Sequence, residues 1–224
     1  MSLPKLNSNT RVSDRAFEAL YQAIMSGELD AGQRLQVREL AESLGTSMMP
    51  VREALNRLEE FGLVETLPYK GAVVKSFTLE ELLEIYSLRK VLESEAIVRG
   101  VAHVDAQCVA ELSAQLENIE DALKAHDPAR FLDAEEGMLT CVFERAGNQT
   151  LMDFIRTLWA RSRYYKLVGV KEIFAQDEVA LLADEARAFV TAASLKDEAQ
   201  TLEALHAALK RAEDGIKKQL QASN

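Results

Sequence analysis

The chain has 224 residues, of which 48% are apolar and 28% are charged, as is usual for a folded globular protein. A net charge of −10 argues against a protein that coats nucleic acid. No apolar run approaches the roughly 20 residues of a membrane span, and the first residues lack the apolar core of a signal peptide. We therefore expect a cytoplasmic protein that makes no membrane contact.

The charge is divided unevenly along the chain. Residues 1–78 carry 9 basic and 10 acidic side chains, a net charge of −1, whereas the remaining residues carry 17 and 26, a net charge of −9. A strongly acidic surface repels the phosphates of DNA. Any contact with nucleic acid is therefore expected in the front part of the chain, where basic residues could gather on one face.

The front part of the chain is predicted to contain three helices. Residues 1–10 are polar, and we expect a flexible tail there. Residues 26–35 contain two glycines and are predicted to form a turn, while Ser47 and Pro50 suit the N-cap and the first turn of the third helix. Apolar residues recur at helical spacing in the three segments between these breaks. The predicted helices span residues 11–25, 36–45 and 47–61.

Two short β-like runs follow the helices. Residues 63–67 and 72–77 are separated by the turn sequence "PYKG", which predicts a β-hairpin. Three helices followed by a hairpin is the order of a winged helix–turn–helix domain. We therefore predict such a domain over residues 11–77.

From Thr78 onward only helices are predicted. Thr78 and Glu81 have the spacing of a capping box, and Asp105 and the Asp127–Pro128 pair suit the starts of later helices. Short polar connections separate the segments, so we expect an all-α antiparallel bundle over residues 78–224. The six predicted helices span residues 78–101, 105–124, 127–146, 150–168, 176–193 and 197–220.

The third predicted helix carries an ordered row of exposed residues. Met48, Arg52 and Asn56 lie within about 80° of one another on the helix surface, beside an apolar face. The corresponding row of a helix–turn–helix lies in the major groove, where Arg suits guanine or phosphate and Asn suits adenine or the backbone. Arg38 and Lys70 are placed to contact phosphates. A solvated helix face is the alternative, and the adjacent turn and hairpin favour DNA.

Three stretches carry a specific resemblance: "GELDAGQRL" from Gly27, "RELAESLG" from Arg38 and "PVREALNRLEEFGLVE" from Pro50. Together they resemble the DNA-binding domain of the GntR family of bacterial transcription regulators. Two further stretches, "FTLEELLEIYSLRKVLESEA" from Phe77 and "FERAGNQTLMDFIRTLWARSRYYKL" from Phe143, are similar to the helical FCD effector domain of the FadR-like subgroup. The resemblance covers nearly the whole chain.

The resemblance implies a ligand-responsive transcription regulator, more specifically a repressor, that binds a palindromic DNA operator as a homodimer. A small metabolite in the helical domain, which also serves for dimerisation, would alter the operator affinity. Family members usually have Arg and Thr where this chain has Met48 and Met49, and methionine donates no hydrogen bond to guanine or phosphate. We therefore expect an untypical operator or weaker binding. The predicted DNA-contacting residues are Arg38, Ser47, Met48, Met49, Arg52, Asn56, Lys70 and Gly71.

Many FCD domains hold a divalent metal ion with one Asp and three His, and the metal binds an organic-acid effector. The matching positions of this chain are Glu135, Leu139, Ala186 and Ala208, where all three imidazoles are missing. His206 lies two residues from one of these positions, but one His and one Glu are too few ligands for a metal site. We therefore predict no metal cofactor.

Without a metal, an anionic effector such as an organic acid would need arginine. Arg89, Arg161 and Arg163 lie on helices that line the family's cavity, although Arg161 and Arg163 project roughly 200° apart. The apolar replacements of the histidines would let the pocket accept a less polar ligand, or would leave it filled and closed. The predicted effector-contacting residues are Arg89, Glu135, Leu139, Arg161, Arg163, Ala186 and Ala208.

Two other classes of protein compete with a regulator. An all-helical enzyme could use Glu135 and Glu136, but neighbouring helical residues diverge by about 100° and do not converge on one substrate atom. A protein-interaction module could use the acidic bundle. Neither class needs a recognition helix, so we predict a regulator that is not an enzyme. Cys108 and Cys141 form no metal motif and are expected to be buried free thiols.

Overall fold

The computed structural model describes residues 10–67 and 71–222. The chain divides into two compact units, Met1–Phe77 and Thr78–Asn224. Within the described residues, no helix combines the length and apolar character that crossing a bilayer requires. The elements confirm a mainly α fold, with a winged helix–turn–helix in the first unit and a helical bundle in the second.

Three helices form the core of the first unit: α1 (Thr10–Met25), α2 (Val37–Ser43) and α3 (Met48–Glu60). Helix α3 buries the face that carries Val51, Leu55 and Leu58, as its periodicity predicts, and packs it against α1. At the edge of this contact, Arg57 donates a hydrogen bond to Asp14 at 2.7 Å and stacks on the ring of Phe17. The two helices are thereby held in a defined register.

A three-stranded antiparallel sheet completes the first unit. Its strands are β1 (Arg34–Leu35), β2 (Val64–Leu67) and β3 (Gly71–Val74), in the order β1-β3-β2. The predicted hairpin is confirmed, with strands shorter than expected. Strand β1 corrects the prediction of a turn over residues 26–35. A two-residue strand has too little alternation to be recognised, and Leu35 is extended because it pairs with Ala72, far along the chain.

The second unit is a bundle of helices whose starts follow local capping chemistry. Thr78 and Glu81 form the predicted capping box, and Asp105, Asp127 and Asn148 each accept a hydrogen bond from the backbone three residues on. Among residues 78–222 the α-helices are α4 (Leu79–Gly100), α5 (Ala106–Lys124), α6 (Pro128–Phe143), α7 (Gln149–Ala175), α8 (Val179–Ser194) and α9 (Glu198–Ala222).

Helix α7 extends seven residues beyond its predicted end at Val168. Gly169 weakens the helical pattern at that point, but a single glycine costs only about 1 kcal/mol. Val170 and Phe174 are buried against the rest of the bundle, and burying such side chains contributes about 1.5–3 kcal/mol each. Tertiary packing therefore outweighs the local preference.

Both cysteines are free and buried, as predicted. The Sγ atom of Cys108 donates to the carbonyl of Cys141 at 3.3 Å, and Cys141 donates to the carbonyl of Gly137 at 3.2 Å. Burial raises the pKa of both thiols, and that of Cys141 reaches about 11. The two side chains act as small apolar groups that join α5 to α6.

Gly100 sets how closely the end of α4 approaches α6. A Cβ atom at this position would lie 2.3 Å from the carbonyl oxygen of Val142 and 3.1 Å from the backbone nitrogen of Ala146. Both contacts are with backbone, which cannot rotate away. We therefore expect Gly100→Ala to lower the free energy of unfolding by at least about 1–3 kcal/mol, measured by urea denaturation.

Gly215 provides the matched control. It lies within α9, and a Cβ atom there would meet no atom within 4 Å. Gly215→Ala is expected to raise the free energy of unfolding by about 0.5–1 kcal/mol, because alanine loses less backbone entropy in a helix. Equal effects of the two substitutions would contradict the close approach at Gly100.

Candidate functional site

The outer face of α3 presents the row of residues that its sequence pattern predicts. Met48 is 49% exposed, Met49 is 63% exposed, and Arg52 and Asn56 are also on the surface. Arg52 forms no ion pair with any residue of the described chain, so its guanidinium is available to a partner. The face is therefore a mixture of one free cation, one amide and two soft apolar side chains.

Two further predicted contacts surround this face. Arg38 of α2 is exposed and pairs with Glu42 at 3.1 Å, an i,i+4 contact that contributes only about 0.3–0.5 kcal/mol and is easily exchanged for a phosphate. Ser47 stands at the N-cap position of α3, but its side chain makes no capping hydrogen bond. The predicted N-cap position is thus confirmed, and the hydroxyl of Ser47 is exposed at the start of the helix.

The wing contributes Gly71 at the start of β3. Its φ of +85° is one that other residues rarely adopt, and a Cβ atom would lie 3.3 Å from the carbonyl oxygen of Leu35. Glycine is therefore needed at the first position of β3. The predicted phosphate contact Lys70 lies outside the described residues.

An internal cavity lies in the second unit among α4, α6, α7, α8 and α9. Five of the predicted effector-contacting residues line it, namely Arg89, Glu135, Leu139, Ala186 and Ala208. The structure thus brings together the four positions that match the family's metal ligands. The cavity has a volume of about 30 Å³ for the centres of water-sized molecules. That is room for roughly two waters or a ligand of a few non-hydrogen atoms.

The structure places the other two predicted arginines elsewhere. Arg163 is buried, but it pairs with Asp133 at 2.5 Å and with Glu136 at 2.9 Å, and so joins α7 to α6. Arg161 is half-buried and does not line the cavity. Neither guanidinium is therefore placed to hold a ligand in this cavity.

A buried ion pair forms one wall of the cavity. Nε of Arg89 donates to Oε1 of Glu93 at 2.7 Å, and the indole of Trp159 donates to the same oxygen at 2.8 Å. Arg89 also donates to the hydroxyl of Ser162 at 3.3 Å. Arg89 is 2% exposed and Glu93 is fully buried. The arginine expected to receive an anionic effector is therefore already neutralised within α4.

A second ion pair occupies the position expected for a metal. Nζ of Lys166 on α7 contacts Oε2 of Glu135 on α6, the residue that matches the family's Asp ligand. Burial raises the pKa of Glu135, but Lys166, Arg211 and Arg89 together outweigh burial and hold it below its usual value of 4.5. The ammonium group thus supplies the positive charge that a metal would bring.

The donor set does not fit a metal. Among residues 10–67 and 71–222 no three His, Cys, Asp or Glu side chains cluster as metal ligands would. Histidine 206 donates to or accepts from Ser94 at 2.8 Å on the groove between α4 and α9, away from the cavity lining. Carboxylates paired with cations are poor substitutes for imidazoles.

Sequence reasoning missed Lys166, Glu93 and Glu185, which all line the cavity. Glu93 could have been found, because it falls on the buried helical face of α4 together with Tyr86, Arg89 and Ala96. A charged residue on an apolar face signals a buried partner. Lys166 gives no such local signal, since its partner lies 31 residues away.

Two protein-family models match the chain, one over each of its two units. Residues 12–74 match the family described as bacterial regulatory proteins, gntR family, and residues 84–211 match the FCD domain, which alone covers more than half of the chain. The chain belongs to the gntR family. Within this gntR regulator the first match covers the helix–turn–helix and wing, and the second covers the lining of the cavity except Ala212.

Individual proteins with similar sequences are also named as HTH-type transcriptional regulators. The HTH-type transcriptional regulator McbR of Escherichia coli is 32% identical over 60% of this chain and 61% of its own length. An HTH-type transcriptional regulator of Agrobacterium vitis is 37% identical over 54% of this chain and 69% of its own. YdhC of Bacillus subtilis is 32% identical over 53% of each chain. The matches thus span about half to two thirds of these curated relatives.

Two solved structures match more than nine tenths of the gntR regulator, a larger part of the chain than the sequence relatives match. The structure of E. coli McbR/YncC superposes with a TM-score of 0.81 at 25% identity, covering 93% of this chain and 98% of that one. A GntR regulator from Rhodococcus sp. RHA1 shares the fold, with a TM-score of 0.76 at 20% identity over 92% and 97% of the two chains.

The Lys166–Glu135 pair can be tested by removing one partner. Lys166→Met leaves the buried carboxylate without its nearest cation, and we expect a loss of about 3–5 kcal/mol of unfolding free energy at pH 7. Burial then raises the pKa of Glu135 above 4.5 in the folded variant. The deficit relative to wild type should therefore shrink as the pH falls toward 4.5. Urea denaturation at several pH values measures both effects.

The double variant Lys166→Met, Glu135→Leu is the control for this experiment. It removes both charges, so no buried carboxylate remains uncompensated, and much of the lost stability should return. A single variant as stable as the wild type, or one whose deficit does not change with pH, would contradict the ion pair.

Proposed function

We propose that this gntR regulator controls transcription, as a repressor, by binding an operator through the exposed face of α3. The observation that carries the proposal is the unpaired Arg52 beside Asn56 on the outer face of a helix whose opposite face is buried. This is the arrangement by which a recognition helix reads base edges in the major groove. Arg38 and the wing would then hold the flanking phosphates.

The acidic helical unit makes nonspecific DNA binding weak. Its net charge of −9 from residue 79 onward repels phosphate, so the first unit must supply the favourable contacts. Met48 and Met49 add none of the charge-assisted bonds that usually anchor such a helix, although they can pack on thymine methyl groups. We infer that the operator is rich in thymine at the positions these methionines face.

A homodimer on a palindromic operator is the assembly we propose, acting in the cytoplasm of a bacterium. A single α3 reads only a few base pairs, and two copies related by a two-fold axis would read two half-sites. A small molecule that enters the cavity of the helical unit would favour one arrangement of the two copies and so alter operator affinity. The names of the matched relatives, which include a xylose utilisation repressor and a gluconate operon repressor, support the sign of regulation.

A regulator with a closed cavity is the second candidate. The volume of about 30 Å³ and the paired state of Arg89 and Lys166 favour it, because a large anionic metabolite has neither room nor a free cation. In that case operator binding would be constitutive, or controlled by another surface.

Substitution of Arg52 tests the proposed contact between α3 and DNA. Arg52→Ala should weaken binding of the full chain to DNA from upstream of its own gene by about 1–3 kcal/mol, because a bidentate contact to guanine is lost. Fluorescence anisotropy over a range of salt concentrations measures the affinity and its salt dependence. The control Lys171→Ala removes the same charge from the exposed surface of α7 and should leave affinity nearly unchanged. Wild-type protein that shows no salt-sensitive binding to this DNA would refute the proposal.

A second prediction restores the residues that are usual in the family. The double variant Met48→Arg, Met49→Thr adds a cation and a hydroxyl to the exposed face of α3, and each can bind phosphate. We expect tighter binding and a salt dependence steeper by about one released counterion, measured in the same anisotropy assay. An unchanged salt slope would show that these two positions do not face the DNA backbone.

A further inference from the structure

The cavity of the helical unit is electrically balanced. Three acidic and three basic side chains meet in or beside it, and each cation is already paired with a carboxylate. Glu185 takes hydrogen bonds from Nε of Arg211 on both of its oxygens, at 3.0 and 2.8 Å. The three pairs are Arg89–Glu93, Lys166–Glu135 and Arg211–Glu185. A ligand therefore meets no unneutralised charge of either sign in this cavity.

Binding a charged ligand in this cavity would cost the free energy of removing its charge from water, and no opposite charge is free to offset that cost. Moving an isolated charge out of water into a buried site is costly unless the site supplies an opposite charge. Here the cations are committed, so a carboxylate ligand would have to break a buried ion pair. A protonated amine would add a further positive charge beside Arg89 and Lys166, whose carboxylate partners are already neutralised.

Two buried polar atoms nevertheless lack hydrogen-bond partners among the described residues, Oε2 of Glu93 and the hydroxyl of Tyr86. Glu93 is fully buried and lines the cavity, and only its other oxygen is engaged by Arg89 and Trp159. Burial raises the pKa of Tyr86 despite the nearby Arg89, so the phenol keeps its proton. Tyr86 lies seven residues before Glu93 on the same buried face of α4.

Of the two atoms, only Oε2 of Glu93 belongs to a residue that lines the cavity, because Tyr86 lines the separate groove between α4 and α9. A carboxylate oxygen only accepts hydrogen bonds, so a ligand must donate one to it. The remaining lining is apolar and includes Phe131, Leu139 and Phe189, which suits carbon atoms. A hydroxyl group on a short carbon chain satisfies both requirements without bringing a charge.

We propose that the cavity binds a small uncharged hydroxylated molecule, of the class of short polyols, with a hydroxyl group donating to Oε2 of Glu93. The proposal deepens the effector part of the proposed function and rests on it only for the regulatory consequence of binding. It replaces the organic acid and the metal that the family resemblance suggests. The volume limits the part of the ligand that enters to a few non-hydrogen atoms, unless α8 and α9 move apart.

Trp159 reports directly on the binding of a ligand to Glu93. It is the only tryptophan of the chain, and its indole N–H donates to the carboxylate that the ligand would contact. A third donor on Glu93, beside Arg89 and the indole, weakens the acceptor strength of the carboxylate toward the indole. The indole ¹H–¹⁵N resonance of the ¹⁵N-labelled full chain should therefore shift in a saturable manner on titration.

Three probes of nearly equal size separate the ligand classes. Ethylene glycol is neutral, ethanolamine is a cation and glycolate is an anion at pH 7. The expected result is a saturable shift of the Trp159 resonance with ethylene glycol, and at least tenfold weaker responses with the two charged probes. A preferred response to glycolate or ethanolamine would overturn the proposal in favour of an anion or amine site. No saturable response to any probe would overturn it in favour of a cavity filled by water.

Variants on α9 exclude a general solvent effect of the polyol. Ala208 lines the cavity, whereas Ala207 is the exposed neighbouring residue. Ala208→Leu should abolish the saturable shift, and Ala207→Leu should retain it, with both variants checked for wild-type helicity. If Ala208→Leu unfolds, Ala186→Leu on α8 is the second variant, and loss of at least tenfold in affinity is expected because Ala186 also lines the cavity. Retention of the shift in the folded cavity variant would overturn the proposal.

Failure of this inference and failure of the proposed function give different results. The titration is performed without DNA, so a protein that binds no operator can still show the Trp159 response. A protein that binds its operator but shows no response remains a regulator whose cavity takes no polyol. Adding ethylene glycol to the anisotropy assay then tests whether occupancy alters operator affinity.

Discussion

Arg89 and Glu93 form the interaction on which the second unit depends most. Both side chains are buried, and their further hydrogen-bond partners, Ser162 for Arg89 and Trp159 for Glu93, lie on α7. The pair thereby fixes the rotation of α4 relative to α7. A buried ion pair of this kind adds little net stability over an apolar pair of the same size, but losing either member is severe. The bundle therefore tolerates few alternatives at these positions.

The same constraint explains the character of the cavity. Once Arg89 is committed to Glu93, and Lys166 to Glu135, the interior can be polar without carrying charge. Ala186 and Ala208 are small where the family resemblance implies imidazoles, and Lys166 compensates the carboxylate of Glu135. The Lys166–Glu135 pair thus leaves this part of the interior without net charge.

The parts of the fold that could be predicted are those set by neighbours in sequence. Thr78, Asp105 and Asp127 mark helix starts because their side chains bond to backbone only three residues away. The buried face of α3 follows from its own periodicity. Strand β1 and the end of α7 could not be predicted, because pairing with β3 and burial in the bundle decide them.

Of the two candidate sites, the exposed row on α3 could be predicted from the sequence and the ion pairs of the cavity could not. The exposed row on α3 is visible in the sequence because one helix carries all of it. The cavity is built from five helices, and the contact between Trp159 and Glu93 spans 66 residues. An arginine on a cavity-facing helix is equally consistent with a ligand contact or an internal ion pair. Only the position of Glu93 one turn away shows that Arg89 belongs to the second class.

The buried thiols of α5 and α6 are poorly reactive toward oxidants in the folded bundle. With the pKa of Cys141 near 11, on the order of one molecule in ten thousand carries the reactive thiolate at neutral pH. Cys108 is buried and its pKa is raised as well. Both thiols are therefore poor targets for peroxide and other electrophiles while the bundle is folded. These two thiols therefore become readily oxidised only where the bundle opens.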